Sequence, residues 1–522
     1  MSTTSRWYAA LAGVTAAAVA IGIAEPVAVL TGPRSAPLVA VGGVVVDAVP
    51  QSLKQFAIDL FGTADKIALL VGTAVLLGGF AALLGVLAVR RLTIGLAGIA
   101  AFAVLGVAAA LTRPGADLAD ALPSLVGGGL GALVLWLFIA GPLELDPWPW
   151  SPPTPSAAPA TSGERVDPAS RRRFLSSTGV LLGTATVAGL GGHWLAGRRG
   201  VSAARDAIRL PAPADPAPAL PAGVDLSVTQ LAPYVTPNFG FYRIDTALVV
   251  PQVDPATWRL RIHGRVGTER TYSYADLLAR PMVERYVTLA CVSNEVGGDL
   301  IGNARWLGVP LRELLDEVEP EADADQVVGR SVDGWTCGTP TAALRDGRDA
   351  LLAVGMNGEP LPVEHGFPVR MVVPGLYGYV SACKWVTELE LTRFSDFDAY
   401  WVPRGWSAQG PIKTQSRIDT PRPRNRLTTG PVTVAGVAWA QHRGIRRVEV
   451  RVDDGPWQEA ELAPTVSVDT WVQWQWRWDA TPGEHRLQVR ATDATGETQT
   501  ERTQSVAPDG ATGWHTITAT VR

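Results

Sequence analysis

The sequence predicts a multidomain chain: an α-helical membrane region of about five spans, a globular middle and an all-β end. Three observations predict it. Hydrophobic residues make up 47 % of the 522 residues and charged ones only 18 %, with mean hydropathy +0.15, and the apolar excess is N-terminal. Two Pro- and Ala-rich stretches, 146–169 and 211–222, set that part off from the rest of the chain. Beyond residue 430, apolar and polar residues alternate in short runs. The formal net charge of −4 excludes a global basic footprint, so no nucleic-acid partner is expected. Three cysteines are too few for a disulfide scaffold or a closely spaced zinc or iron–sulfur set. No C-x-x-C-H occurs, so no covalently attached haem is encoded.

Residues 67–89, 92–112 and 121–143 contain no Asp, Glu, Lys or Arg. Each is long enough to cross a hydrocarbon core of about 30 Å at about 1.5 Å per residue. Residues 7–24 just reach the minimum length before Glu25-Pro26 and complete a membrane domain over 1–145. Residues 174–197, apolar but rich in Gly, Ser and Thr, make a fifth span. The run 35–46 is too short to span and reads as interfacial or re-entrant. Arg6, Arg90-Arg91 and Arg171-Arg172-Arg173 share one side if the N-terminus is cytoplasmic and the spans alternate. That makes a multi-pass protein of the cell membrane, with everything after residue 198 on the extracytoplasmic side. His193 is the first histidine of the chain, and one histidine cannot supply two axial haem ligands. Glu25 is either a proton-linked group or an interfacial residue where the helix ends at Pro26.

Residues 146–170 read as a linker. Ser170-Arg171-Arg172-Arg173-Phe174-Leu175 then matches the twin-arginine export pattern, Ser/Thr-Arg-Arg-x-Phe-Leu, and opens the signal and span over 171–198. An ordinary basic anchor would need only the arginines. The twin-arginine route carries folded proteins, so a cofactor can be inserted before export. Residues 199–225 read as a second, extended linker that holds the globular part off the membrane.

Four segments carry chemistry: 239–251 (FGFYRIDTALVVP), 288–315 (TLACVSNEVGGDLIGNARWLGVPLRELL), 356–385 (MNGEPLPVEHGFPVRMVVPGLYGYVSACKW) and 400–421. In that order they resemble the sulfite oxidase family of molybdopterin-dependent oxidoreductases, over roughly residues 226–515, here as a membrane-anchored bacterial type. The resemblance implies an α+β molybdopterin-binding catalytic domain over 226–400. It implies an immunoglobulin-like, dimerisation-type domain over 401–522, with a homodimer as one option.

By that resemblance Cys291 is the thiolate ligand of molybdenum, at the end of the apolar run 286–291 and before a Ser/Asn/Gly-rich loop containing Asn294. A soft, polarisable ligand suits the metal. His365 and Arg370 in HGFPVR match a segment that holds the cofactor's phosphate and pterin, for which Arg offers a planar fork. Lys384, one of four lysines in the chain, is the point charge nearby. Asn294, His365, Arg370 and Lys384 are thus the expected cofactor-binding residues, and Cys291, Arg243 and Trp406 the catalytic ones. Arg243 matches the arginine that attracts an oxyanion substrate. Asp245 stands where the family has a histidine, and either Trp406 stands where sulfite-oxidising relatives place a tyrosine or Tyr400 serves as that tyrosine. Indole donates but cannot accept a hydrogen bond, so sulfite is not the preferred substrate. Cys337 and Cys383 could pair or remain core thiols, and the sequence leaves both open.

In the C-terminal part, Val448, Val450 and Val452 share a face and Asp454-Gly455 marks a turn. Trp474, Trp476 and Trp478 alternate with polar residues, as do Leu487, Val489 and Ala491, which reads as a β-sandwich core. The leading expectation is a membrane-embedded oxidoreductase exchanging an oxygen atom and two electrons with a small polar or anionic substrate at molybdenum. A separate electron carrier completes the cycle. The rivals are a sulfoxide-type reductase on the same cofactor and a cofactor-free surface binding protein.

Overall fold

The computed structural model describes residues 3–49, 65–113, 116–143, 168–198, 200–422 and 425–522. The chain forms two compact units, one of residues 1–200 with 247–250 and one of 201–246 with 251–522.

The first unit is helical: α1 (Thr3–Thr31), α2 (Pro37–Ala48), α3 (Asp65–Arg90), α4 (Leu92–Leu111), α5 (Leu122–Ile139) and α6 (Pro168–Arg198). Among the described residues, five stretches are long and apolar enough to cross a membrane: Arg6–Thr31, Ala68–Arg90, Leu92–Leu111, Leu118–Ile139 and Ala169–Gly192. The short apolar run forms a helix, Pro37–Val46, below spanning length. Small residues let α1 approach its neighbours backbone to backbone. A Cβ on Gly13 would collide with the Ala81 carbonyl oxygen, and one on Gly85 with that of Ala9. One sequence expectation needs correcting. Helix α1 does not end at Pro26 but continues through it to Thr31, so Glu25 lies inside the helix. Tightly packed neighbouring helices tolerate the missing N–H of such a proline. Phe174 of the arginine motif is fully buried, 5.5 Å from the Tyr8 ring and 4.7 Å from that of Phe138. Residues 144–167, most of the first linker, lie outside the described residues.

The second unit begins with a stretch that sequence composition gives as an extended spacer, yet it is laid along the globular part. Arg205 donates to the Pro360 and Leu361 carbonyls at 2.6 and 2.8 Å, and the Glu284 amide donates to the Asp215 carbonyl at 2.9 Å. Two sheets come next. Strands β1 (Arg259–Gly264), β2 (Arg270–Ser273), β5 (Gln326–Ser331), β6 (Thr336–Pro340) and β10 (Val386–Thr392) form one, in the order β2-β1-β10-β5-β6. Strands β3 (Val283–Ala290), β4 (Ile301–Pro310), β7 (Leu351–Met356) and β8 (Glu359–Pro360) form the other, with β9 (Arg370–Val372) paired to β7. Short helices between strands make this an α+β domain. The run VERYVTLA becomes β3 because its second half is buried on both faces, as a central strand requires.

The C-terminal part is a sandwich of two antiparallel-rich sheets. One holds β11 (Gln415–Thr420), β13 (Gly430–Trp439), β16 (Glu461–Leu462) and β17 (Val472–Ala480). The other holds β12 (Arg426–Leu427), β14 (Ile445–Val452), β15 (Gln458–Glu459), β18 (Gly483–Asp493) and β19 (His515–Val521). The alternation read from sequence is the core: Val448, Val450, Leu487, Val489, Ala491, Trp474 and Trp478 pack together. Trp474 faces Gly436 across the β13–β17 ladder. A Cβ on Gly436 would strike the Arg417 carbonyl oxygen, so glycine is required there. Val437, Trp439 and Trp471 from the sandwich join the core of the α+β domain, as do Trp406 and Ile412 from the connection.

Candidate functional site

Strand β3 delivers Cys291 at its C-terminal end, where the chain turns through a loop held by its own backbone. The Cys291 amide donates to the Leu300 carbonyl at 2.9 Å, and the Asn294 amide to the Cys291 carbonyl at 3.1 Å. The Asn294 side-chain oxygen accepts from the Leu300 amide at 2.8 Å, while its Nδ2 is buried with no partner. The sandwich braces the loop from outside. Arg417 donates to the Gly298 carbonyl at 2.7 Å, and Gly297 at φ +79° lies so close to His515 that a Cβ would run into the ring. The Cys291 thiol is buried, and burial pushes its pKa up while Ser293 partly opposes the shift.

A second group of side chains is basic. His365 ends the helical turn Val363–His365, and Gly366 at φ +111° reverses the chain beyond it. Its ring lies 3.2 Å from the Asn238 carbonyl and 5.5 Å, edge to face, from Phe241. Burial, then Arg370 and Lys384, push its pKa down to about 4, so the imidazole is neutral near pH 7. Arg370, on β9, donates to the His365 carbonyl at 3.1 Å and sits 5.0 Å from the Trp306 ring centroid. Burial pushes Arg370 down to about 10. The Lys384 Nζ lies 2.7 Å from Asp245 Oδ2 and 3.2 Å from the Glu364 carbonyl, and burial pushes it down to about 8 against the pull of Asp245. Arg243, about two-fifths exposed, shares the same carboxylate at 2.9 Å.

The structure therefore brings His365, Arg370, Lys384, Asp245 and Arg243 into one network. Basic groups that burial presses toward neutrality mark a place for a bound anion. Tyr242 connects this network to Cys291: its phenol feels both the Cys291 sulfur and Arg370, and burial pushes its pKa up. Sequence reasoning passed over Tyr242, although it lies next to Arg243 in FGFYRIDT. The Tyr377 phenol also lies within electrostatic reach of Cys291. Trp406 lies elsewhere in character. It is buried in an aromatic cluster, 6.0 Å from the Tyr379 ring and 6.1 Å from that of Trp401.

These residues suit a molybdopterin. A buried sulfur at a strand end offers the soft ligand, the unpartnered Asn294 Nδ2 awaits an acceptor, and the basic cluster suits a phosphate. Residues 247–401 match the profile described as an oxidoreductase molybdopterin binding domain, and residues 415–519 that of a bacterial Ig domain. The fold and site thus define a molybdopterin-binding oxidoreductase domain carrying an immunoglobulin-like sandwich.

Mitochondrial sulfite oxidase of Mus musculus is 33 % identical over 287 residues, covering 47 % of this chain and 52 % of its own. Sulfite oxidase of Gallus gallus is 30 % identical over 339 residues, covering 54 % and 72 %. The uncharacterized oxidoreductase YuiH of Bacillus subtilis (strain 168) is 31 % identical over 157 residues, covering 30 % and 76 %. The chain belongs to the sulfite oxidase family of molybdopterin-dependent oxidoreductases. It spans about half the length of the mammalian mitochondrial relatives it matches.

Proposed function

We propose that the chain is a membrane-anchored oxidoreductase whose catalytic part faces the extracytoplasmic side and acts on a small polar or anionic substrate. The observation that carries this is the pairing of a buried thiol, Cys291, with the basic cluster of His365, Arg370 and Lys384. When bound, the molybdopterin supplies oxygen-atom exchange coupled to two-electron transfer. The chain's own residues bind and orient. Cys291 would hold the metal, Asn294 Nδ2 and neutral His365 would donate to the pterin or phosphate, and Arg370 and Lys384 would neutralise it. Arg243, the most open of the basic groups, is where an anionic substrate is drawn in.

Five apolar helices support anchoring, and the placement of Arg6, Arg90-Arg91 and Arg171-Arg172-Arg173 supports the outward catalytic side. A separate carrier takes or supplies the electrons. The sandwich is a candidate dimer surface, tested by the mass of the detergent-solubilised protein.

Dye-coupled turnover of the purified protein tests direction and substrate. Oxidisable substrates such as sulfite are offered with an electron-accepting dye, and sulfoxides with a reduced one. Turnover in either direction that is lost in Arg243→Ala supports the reading. Catalysis that is indifferent to Arg243 contradicts it.

A further inference from the structure

Two thiols remain outside the chemistry of the site. Cys337 is the second residue of β6 and Cys383 comes just after the helical turn Gly378–Ser381, and both are fully buried. They meet over Gly329 of β5, which pairs directly with Cys337. A Cβ placed on Gly329 would lie 3.0 Å from the Cys337 sulfur and 3.3 Å from Cys383 Cβ, so the missing side chain makes the space that both share. The Cys383 thiol donates to the Lys384 carbonyl at 3.7 Å, and each thiol lies within electrostatic reach of the other. The Cys383 neighbour pulls the Cys337 pKa down, whereas burial, with the Cys337 neighbour, pushes Cys383 well above the ordinary thiol range. Of the two, Cys337 is the more readily ionised sulfur, and Cys383 is its neighbour.

We propose that Cys337 and Cys383 are a disulfide-forming pair that staples β6 to the residue preceding Lys384. The chemistry is an exchange with a small disulfide oxidant such as oxidised glutathione. The Cys337 thiolate attacks the oxidant, releasing one glutathione thiol and leaving a mixed disulfide. The Cys383 sulfur then displaces the second. Two protein thiols lose two electrons and two protons in all, and one glutathione disulfide becomes two thiols. Because neither sulfur is exposed, exchange needs a brief opening of the segment around 378–385, so the bond forms slowly and then resists reduction.

The consequence for the site is local. Cys383 is adjacent to Lys384, whose Nζ holds Asp245, and the Cys383 carbonyl accepts from the Met371 amide at 2.8 Å beside Arg370. Closing the bond fixes the backbone from which both cations project. An extracytoplasmic setting would favour the oxidised form, but the pair itself is independent of that setting.

The test uses full-length protein in detergent, incubated with oxidised glutathione, then acid-quenched, denatured and alkylated without reduction. Peptide mapping should find residues 337 and 383 in one cross-linked species, which disappears with dithiothreitol, while Cys291 stays alkylatable. Cys337→Ala should leave Cys383 as a glutathione adduct or an alkylated thiol. Full alkylation of both cysteines in the oxidised wild-type protein overturns the proposal. So does stable glutathione on both sulfurs without a cross-link. Sidedness is read separately by protease access, so failure of the membrane reading and failure of the pair are distinguishable.

Discussion

The Asp245 carboxylate reaches across 139 positions of sequence to hold the Lys384 ammonium at 2.7 Å. The same oxygen accepts from Arg243 at 2.9 Å, so one buried anion serves both cations. Asp245 therefore damps the positive potential that an anionic substrate would feel.

Asp245→Asn removes that damping. Arg243 is freed for an incoming anion, and the inhibition constant of sulfate, used as a competing oxyanion, should fall about tenfold, a change of about 1.4 kcal/mol. The cost is a lower thermal midpoint, because Lys384 loses its buried partner. Unchanged sulfate inhibition with intact folding contradicts the role given to Asp245.

Cys291→Ser should fold, with an unchanged thermal midpoint and sandwich, yet lose turnover. A hydroxyl is a harder ligand than a thiolate and cannot set the same electronics at the metal. Activity near the wild-type level refutes Cys291 as the ligand.

Sulfite oxidation should be weak, well below about 10 per second, the middle of the usual enzyme range. Trp406→Tyr should not restore it, because residue 406 sits in the aromatic cluster with Tyr379 and Trp401. Brisk sulfite turnover by the unmodified protein contradicts this expectation.

Arg171→Lys with Arg172→Lys preserves charge and should keep the catalytic part from reaching the outside. The measurement is protease digestion of intact cells. Digestion of residues 226–522 in the double variant would show a plain charge anchor instead.

Acid stability depends on Asp493. Its carboxylate is fully buried, and burial alone would raise its pKa, but Thr495, Arg443 and Thr414 hold it down to about 2. A depressed folded pKa contributes stability above the unfolded value near 3.8 and loses it as pH falls through about 2. Asp493→Asn should cost about 2 kcal/mol near neutral pH and flatten the decline between those values. An unaltered acid-unfolding curve contradicts the assignment.

Much of the fold was legible in the sequence. Charge-free runs gave the long apolar helices, and alternation gave the faces of β14, β17 and β18, because both are local periodicities. The place of Cys291 at a strand end before a glycine-rich loop was legible, whereas the roles proposed for Cys291, His365 and Arg370 rest on the family resemblance of their segments. The features that were not legible depend on contacts between distant segments. Asp245 showed only as a departure from the family pattern, since its partner Lys384 comes from another element. Tyr242 gave no signal of its own, for its reach to Cys291 arises from how the 236–245 segment is folded over β4. Helix α1 passes Pro26 because its neighbours pack closely, which no local rule conveys. The segment 201–215 looked extended and free by composition, whereas Arg205 and Asp215 fasten it to the globular part.

Metal content tests the central claim most directly. Full-length protein is purified from a host that loads its own molybdoenzymes, and molybdenum and pterin are counted per chain. The account expects about one of each, with molybdenum falling in Cys291→Ser and pterin phosphate falling in Lys384→Met. Folded wild-type protein that carries neither, beside fully loaded host enzymes, contradicts it.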